Sequence, residues 1–181
     1  MQKLRVFESI SIDGYFTDAH GDMRWAHGND DPEFAGWVAG NASSGGALLF
    51  GRKTYEMMAS FWPTELAAQQ MPEVAKGMNA AKKYLASKTL TPTWNNTSLL
   101  RGELLESVRA LKTSAGLGIT LLGSGSVAAQ LGAAGLVDEY QFVIVPLALG
   151  AGRTVFSSGR KLRLLEQRAF RCGNVVVTYG A

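Results

Sequence analysis

The sequence predicts a single α/β domain: a central mixed, mainly parallel sheet, flanked by helices and closed by a C-terminal antiparallel hairpin. Three observations predict it. Short apolar runs alternate with stretches of helical period from residue 4 to about residue 134. From residue 138 onward the pattern changes to strands separated by glycine-rich turns. Twice, an apolar strand runs directly into glycine, small or cationic residues and then a helix. A chain of 181 residues is long enough for one complete core and short for two, so one domain covering 1–181 is expected.

Each element follows from its own residues. Residues 4–12 are apolar and rich in β-branched side chains, and Asp13-Gly14 ends them, which makes a buried strand. Residues 15–29 hold Gly21, Gly28 and scattered polar groups without a period, a long loop of the kind that carries function. Asp31-Pro32-Glu33 starts a helix running to about Gly40, with Asp31 as cap and proline in the first turn. Residues 47–50 form a short strand ending at Gly51. Helices are expected over 54–60 and 65–80, parted at Phe61-Trp62-Pro63 because proline disfavours helix at the residue before it. Strands follow at 83–87 and, weakly, at 97–100. The helix at 103–113 shows Leu104, Leu105, Val108 and Leu111 at helical spacing. Residues 119–122 are a strand, Gly123-Ser124-Gly125-Ser126 breaks it, and 127–134 is a small-residue helix. Strands at 139–146, 162–172 and 175–179 complete the chain, with Gly150-Ala151-Gly152 read as a hairpin turn.

Composition removes several function classes. An apolar share of 46% and a charged share of 18% belong to a chain that folds. The net charge of +3 and pI near 9.1 favour anions, yet no long basic run exists, which favours small phosphate ligands over nucleic acid. One cysteine, Cys172, forms no internal disulfide, and two histidines beside it argue against a structural zinc site, so no metal is expected. A reducing cytoplasm fits. The N-terminus reads as a strand, not as a secretory leader. The longest apolar stretch, 142–149, is far short of the ~20 residues a membrane helix needs.

The two strand–glycine–helix junctions are the places where chemistry concentrates, because such turns present free N–H groups and a positive helix end to phosphate. At the first, Gly51 lets a ligand approach the backbone, Arg52 offers a bidentate phosphate contact, and Thr54 offers a hydroxyl; the same residues also make an ordinary helix cap with solvated charges. At the second, 123–128 fits Gly-x-Gly-x-x-Gly/Ala, but the acidic residues Asp138 and Glu139 come too early for a Rossmann ribose contact. A pyrophosphate turn is compatible with it.

Gly51-Arg52-Lys53-Thr54-Tyr55-Glu56, Ser87-Lys88-Thr89-Leu90, Gly123-Ser124-Gly125-Ser126 and Val137-Asp138-Glu139-Tyr140 occur in that order, followed by Pro146, Gly150-Ala151-Gly152-Arg153 and Phe156. In this order and spacing the chain resembles the dihydrofolate-reductase-like family, closest to the C-terminal reductase domain of bacterial riboflavin biosynthesis and its stand-alone relatives. The resemblance implies an NADPH-dependent reductase. It places Gly51, Arg52, Lys53 and Thr54 with Ser87 and Lys88 at the adenosine 2′-phosphate end, and Gly123, Ser124, Gly125, Ser126 and Val127 at the pyrophosphate. Cationic and hydroxyl partners suit a 2′-phosphate that NADH lacks. The resemblance places the substrate at the loop 13–34, where Trp25, Asp30 and Phe34 repeat a Trp, carboxylate and aromatic spacing. Asp30 is the candidate catalytic acid, provided burial raises its pKa, and Trp25 and Phe34 are substrate contacts. Asp30 as a helix cap, Trp25 as a loop anchor and Ser87-Lys88 as a polar strand end are the bland alternatives, and His20 and His27 read as solvated.

The expected reaction is hydride transfer to a C=N or C=O bond of a small pterin-, pyrimidine- or sugar-linked substrate. The alternative is an NADPH- or nucleotide-binding module without turnover, which the lack of an evident proton donor favours. Relatives of the riboflavin-biosynthesis type pair through their C-terminal region, so the resemblance implies a homodimer.

Overall fold

Alternation in the strands sorts apolar side chains onto two faces of one sheet, and that sorting builds three layers. The computed structural model describes residues 1–27 and 30–181. In chain order the strands are β1 (Leu4–Ser11), β2 (Tyr15–Thr17), β3 (Ala47–Gly51), β4 (Lys83–Ala86), β5 (Thr97–Leu99), β6 (Ile119–Leu122), β7 (Glu139–Val145), β8 (Arg153–Thr154), β9 (Arg163–Ala169) and β10 (Val175–Gly180). The helices are α1 (Pro32–Ala42), α2 (Arg52–Phe61), α3 (Glu65–Gln70), α4 (Pro72–Ala80), α5 (Leu104–Thr113) and α6 (Gly125–Ala133), with a 3-10 turn at Arg24–Ala26. An eight-stranded sheet runs β5-β4-β3-β6-β1-β7-β10-β9, and β2 pairs separately with β8. The pairings from β5 through β7 are parallel, while β10 lies antiparallel to β7 and to β9. The expected fold class is the observed one.

Leu4, Val6, Leu49, Ile119 and Leu121 face one side, where Val108 of α5 and Val127, Ala128 and Leu131 of α6 cover them. Phe50, Leu85 and Leu48 face the other, under Val38 and Ala39 of α1, Tyr55 of α2, and Val74 and Met78 of α4. Burying one such leucine fully stabilises the fold by about 2 kcal/mol. Lys83 is fully buried on β4, where its ammonium donates to the carbonyls of Asn79, Ala81 and Asn95 and lies 4.4 Å from the Trp94 ring centroid. With three acceptors around it, this lysine is a structural group at the end of β4 remote from the junctions.

The differences from expectation are local and have physical reasons. The helix expected over 65–80 is two helices, broken at Met71 (φ −140°, ψ 63°), because Pro72 pushes the residue before it out of helical space. Helix α2 begins at Arg52, two residues early, since Gly51 is extended (φ −81°, ψ 165°) and serves as its N-cap. The strand expected to 146 stops at Val145. Gly150-Ala151-Gly152 then leads into β8 and across to β2, so it is not a hairpin turn between neighbouring sheet strands. The loop after β1 therefore contains a strand that no period in its sequence betrays. Asp13 clamps this region: its carboxylate accepts from Ser11 Oγ at 2.6 Å and from the N–H groups of Leu149 and Gly150 at 3.1 and 2.7 Å. Those bonds, the Ser11 hydroxyl first, hold its pKa down at about 2.

Candidate functional site

Strand order brings together what the sequence holds apart. β3 lies between β4 and β6, all parallel, so the chain leaves the sheet at Gly51, Ser87 and Gly123 along one edge; Gly51 pairs with Ala86, and Leu49 with Leu121. At such a carboxyl edge of a parallel sheet, ligands meet loops and helix N-termini.

The junctions at Gly51 and Gly123 touch. Ser124 Oγ accepts the Gly51 N–H at 2.8 Å, and its hydroxyl lies 3.0 Å from Thr54 Oγ1 and 3.2 Å from the Leu122 carbonyl. Gly123 and Ser124 are both left-handed (φ 55° and 62°), a conformation that costs a serine roughly 1 kcal/mol and that here turns its side chain onto the neighbouring corner. A Cβ on Gly51 would sit 3.1 Å from Val127 Cγ2 and 3.2 Å from Ser124 Oγ, so that glycine makes room for the other corner. Val127 is accordingly a buried packing residue. On Gly125, a Cβ would lie 2.3 Å from the Phe16 ring, which β2 lays over the first turn of α6.

α2 and α6, like α4 and α5, have no side-chain cap, whereas Asp31 caps α1 and Thr64 caps α3; what sets α2 and α6 apart is that their starts meet. Gly51 and Gly123 spend their N–H groups on Ser124 Oγ and on the Phe7 carbonyl. Helix geometry leaves the donors of Arg52, Lys53, Thr54, Gly125 and Ser126 without intrahelical acceptors, and two positive helix ends therefore meet at one point. Arg52 is half-exposed and makes a loose 3.7 Å pair with Glu56 that is worth little in water. Lys88, well exposed, stands 3.5 Å from Glu103. Ser87 Oγ accepts the N–H groups of Thr89 and Leu90 and so shapes its own turn. The donors suit the phosphates of a dinucleotide, with the cations of 52, 53 and 88 at the edge shared by β3 and β4.

The expected substrate residues are placed differently. Asp30 is exposed, and the helix cap is Asp31. Asp31 accepts from the N–H groups of Glu33, Phe34 and Cys172, and the Cys172 bond is the largest cause of its lowered pKa. Gly28 and Asn29, in the same loop, lie outside the described residues. Trp25 anchors the 3-10 turn by donating from Nε1 to the Asp22 carbonyl at 3.0 Å. Phe34 stacks on Trp37 and meets Phe170 edge-on, with centroids 5.9 and 5.1 Å away, in an aromatic cluster beneath α1. Among the described residues no group of three His, Cys, Asp or Glu side chains could hold a metal ion, and no helix is long and apolar enough to cross a membrane.

A buried carboxyl is found at position 8 and not at position 30. Glu8 is 3% exposed, and burial pushes its pKa up to about 8 against the slight opposing pull of the Ser9 N–H. Its Oε2 lies 3.7 Å from the point a Cβ on Gly123 would occupy, and Thr54 Oγ1 lies 3.3 Å from the same point. The signal was present: Leu4, Val6 and Glu8 share one face of β1, so a charge stands in phase with the core.

The chain matches the RibD C-terminal domain model over residues 2–178. It is 26% identical over 174 residues, 94% of this chain and 90% of the other, to the uncharacterized protein YyaP of Bacillus subtilis (strain 168). A Shewanella sp. PV-4 protein, provisionally named for riboflavin biosynthesis, superposes with a TM-score of 0.70 at 22% identity, covering 99% of this chain and 98% of that one. A pyrimidine reductase-like protein of Corynebacterium diphtheriae gives a TM-score of 0.60 at 15% identity, covering 99% and 91%. The match to the family model spans nearly the whole chain and includes both junctions, and on that ground the protein belongs to the RibD C-terminal domain family.

Proposed function

We propose that the chain is a cytoplasmic reductase that uses NADPH to reduce a C=N or C=O bond of a small heterocyclic substrate, with pyrimidine- and pterin-linked compounds first among the candidates. The observation that carries this reading is the meeting of two uncapped helix N-termini at one sheet edge, tied by Ser124, because paired helix ends of this kind hold a diphosphate. Membership of a reductase-type family and the pyrimidine reductase-like name of one structural relative support it.

When bound, NADPH supplies the hydride. The chain's own part is to bind and orient. The N–H groups at the start of α2 and α6 take the phosphates, and Arg52, with Lys53 and Lys88 nearby, takes the 2′-phosphate. Phe16, held against Gly125 by the β2–β8 pair, covers the start of α6 and keeps water from that side. A homodimer through the C-terminal edge goes with this reading: β9 is the outermost strand, and its Leu164 and Leu165 are exposed.

The test is loss of reduced-nicotinamide absorbance when the protein is mixed with NADPH and each of a panel of aminopyrimidine ribosides, ribitylaminopyrimidines and dihydropterins. At least one is expected to be reduced, about tenfold or more faster with NADPH than with NADH, the discrimination one charge-assisted contact supplies. Tight NADPH binding with no substrate-dependent oxidation across the panel would instead make the protein a binding module.

A further inference from the structure

β6 leaves the sheet earlier than the strand beside it. Its pairing with β1 ends at Phe7 opposite Leu122, and Gly123 N–H closes the ladder on the Phe7 carbonyl. β1 continues to Ser11, paired from Glu8 to Ser11 with β7 alone. On the β6 side, the edge of β1 is therefore open for four residues, directly behind the turn that presents the start of α6. Glu8 is the first of these four residues, and its Oε2 lies 3.7 Å from the point a Cβ on Gly123 would occupy.

A buried carboxyl here needs a reason. No described side chain donates a hydrogen bond to it or pairs with it. The titratable and charged groups on the elements around it are Glu139 and Tyr140 on β7, Tyr15 on β2, Arg153 on β8, and Arg52, Lys53, Tyr55 and Glu56 on α2, and burial, not any of these charges, dominates its ionisation. α6 and β6 contribute no titratable group to this side. Arg5 of β1 is committed to Glu139 at 2.8 Å. A carboxylate beside a phosphate turn would repel the anion bound there, by an amount that grows as water is excluded. A neutral carboxylic acid in the same position does the opposite, because it offers an O–H donor.

Resting on the NADPH reading of the two junctions, we propose that Glu8 is a ligand-binding residue: in its protonated form it donates a hydrogen bond to the diphosphate side of the bound dinucleotide, so that cofactor binding is coupled to retention of one proton. The raised pKa, about 8, gives the sign. Below it the acid is neutral and binding is at full strength. As pH rises through it, the free protein loses the proton, and binding must recover that proton or accept the repulsion.

The experiment is a fluorescence titration of NADPH from pH 7 to pH 9.5 with the native protein and with Glu8→Gln, which keeps the shape and a donor but does not titrate. The native protein is expected to lose about tenfold in affinity across this range, equivalent to a one-unit pKa difference between free and bound Glu8, while Glu8→Gln stays flat within about twofold. Parallel pH profiles for the two proteins, or a flat native profile, would overturn the role of Glu8 and leave the cofactor reading standing. No NADPH binding by the native protein at pH 7 would overturn the cofactor reading, and this proposal with it. Should Glu8→Gln fail to fold, calorimetry of the native protein at pH 8.5 in two buffers of different ionisation enthalpy decides the matter: uptake of about half a proton per NADPH is expected, and none refutes it.

Discussion

Arg52→Ala is expected to weaken NADPH binding about 10- to 100-fold while changing NADH binding less than about threefold. A charge-assisted contact to phosphate contributes about 1.5–3 kcal/mol, and only NADPH carries the 2′-phosphate that would use it. The native structure does not oppose this effect: the guanidinium has only the loose 3.7 Å pair with Glu56 to give up, and both partners are half-exposed. Fluorescence titration with the two nucleotides reads the result, and circular dichroism confirms that the fold is unchanged. Equal losses for NADPH and NADH would remove Arg52 from the 2′-phosphate and assign it to the common part of the dinucleotide. Lys88→Ala should show the same selectivity with a smaller loss, since an exposed lysine on a flexible stem holds phosphate as a point charge.

Gly152→Ala is expected to cost about 3 kcal/mol or more of stability, read as a fall of about 10 °C in melting temperature for a chain of this length. The added Cβ would stand 1.9 Å from the Thr17 carbonyl oxygen, a backbone atom that no rotamer change can move, and Gly152 already lies at φ 158°. Relief requires β2 to part from β8, which pair Tyr15 with Thr154 and Thr17 with Arg153. Phe16 sits between those residues and packs on Gly125, so the loss reaches the start of α6 as well. NADPH affinity should fall together with the melting temperature. A variant that melts within about 2 °C of the native protein would show that the β2–β8 pair contributes nothing to holding this loop.

How far the chain could be read in advance depended on how local each signal is. Strands such as β3 and β6 carry their own apolar runs and end at glycine, so both their type and the junctions that follow were legible. β2 and β8 were not, because they are three and two residues long and exist only as each other's partners. The break at Met71 follows from Pro72 by the same rule that places the break at Pro63, but the flanking residues continue the helical pattern and mask it. At the site, the two junctions could be named from sequence, but the bond from the Gly51 N–H to Ser124 Oγ spans 73 positions and follows only from strand order. The spacing of Trp25, Asp30 and Phe34 says nothing of the direction a side chain takes. Phe34 turned out to pack with Trp37 and Phe170, and Asp30 to face solvent. Glu8 is masked by the largely apolar strand around it, yet the one charge in phase with Leu4 and Val6 is the most informative residue of β1.

Backbone amide NMR during titration with NADPH tests most directly whether the two helix ends hold the dinucleotide. The N–H groups of Arg52, Lys53, Thr54, Gly125 and Ser126 should shift together and saturate at one concentration, and NADH should reproduce the shifts at Gly125 and Ser126 while leaving those at Arg52 and Lys53 smaller. Saturable shifts centred instead on the hollow lined by Ala80, Lys82, Asn96, Thr97 and Ser98, at the opposite edge of the sheet, with the two helix starts unmoved, would contradict the assignment.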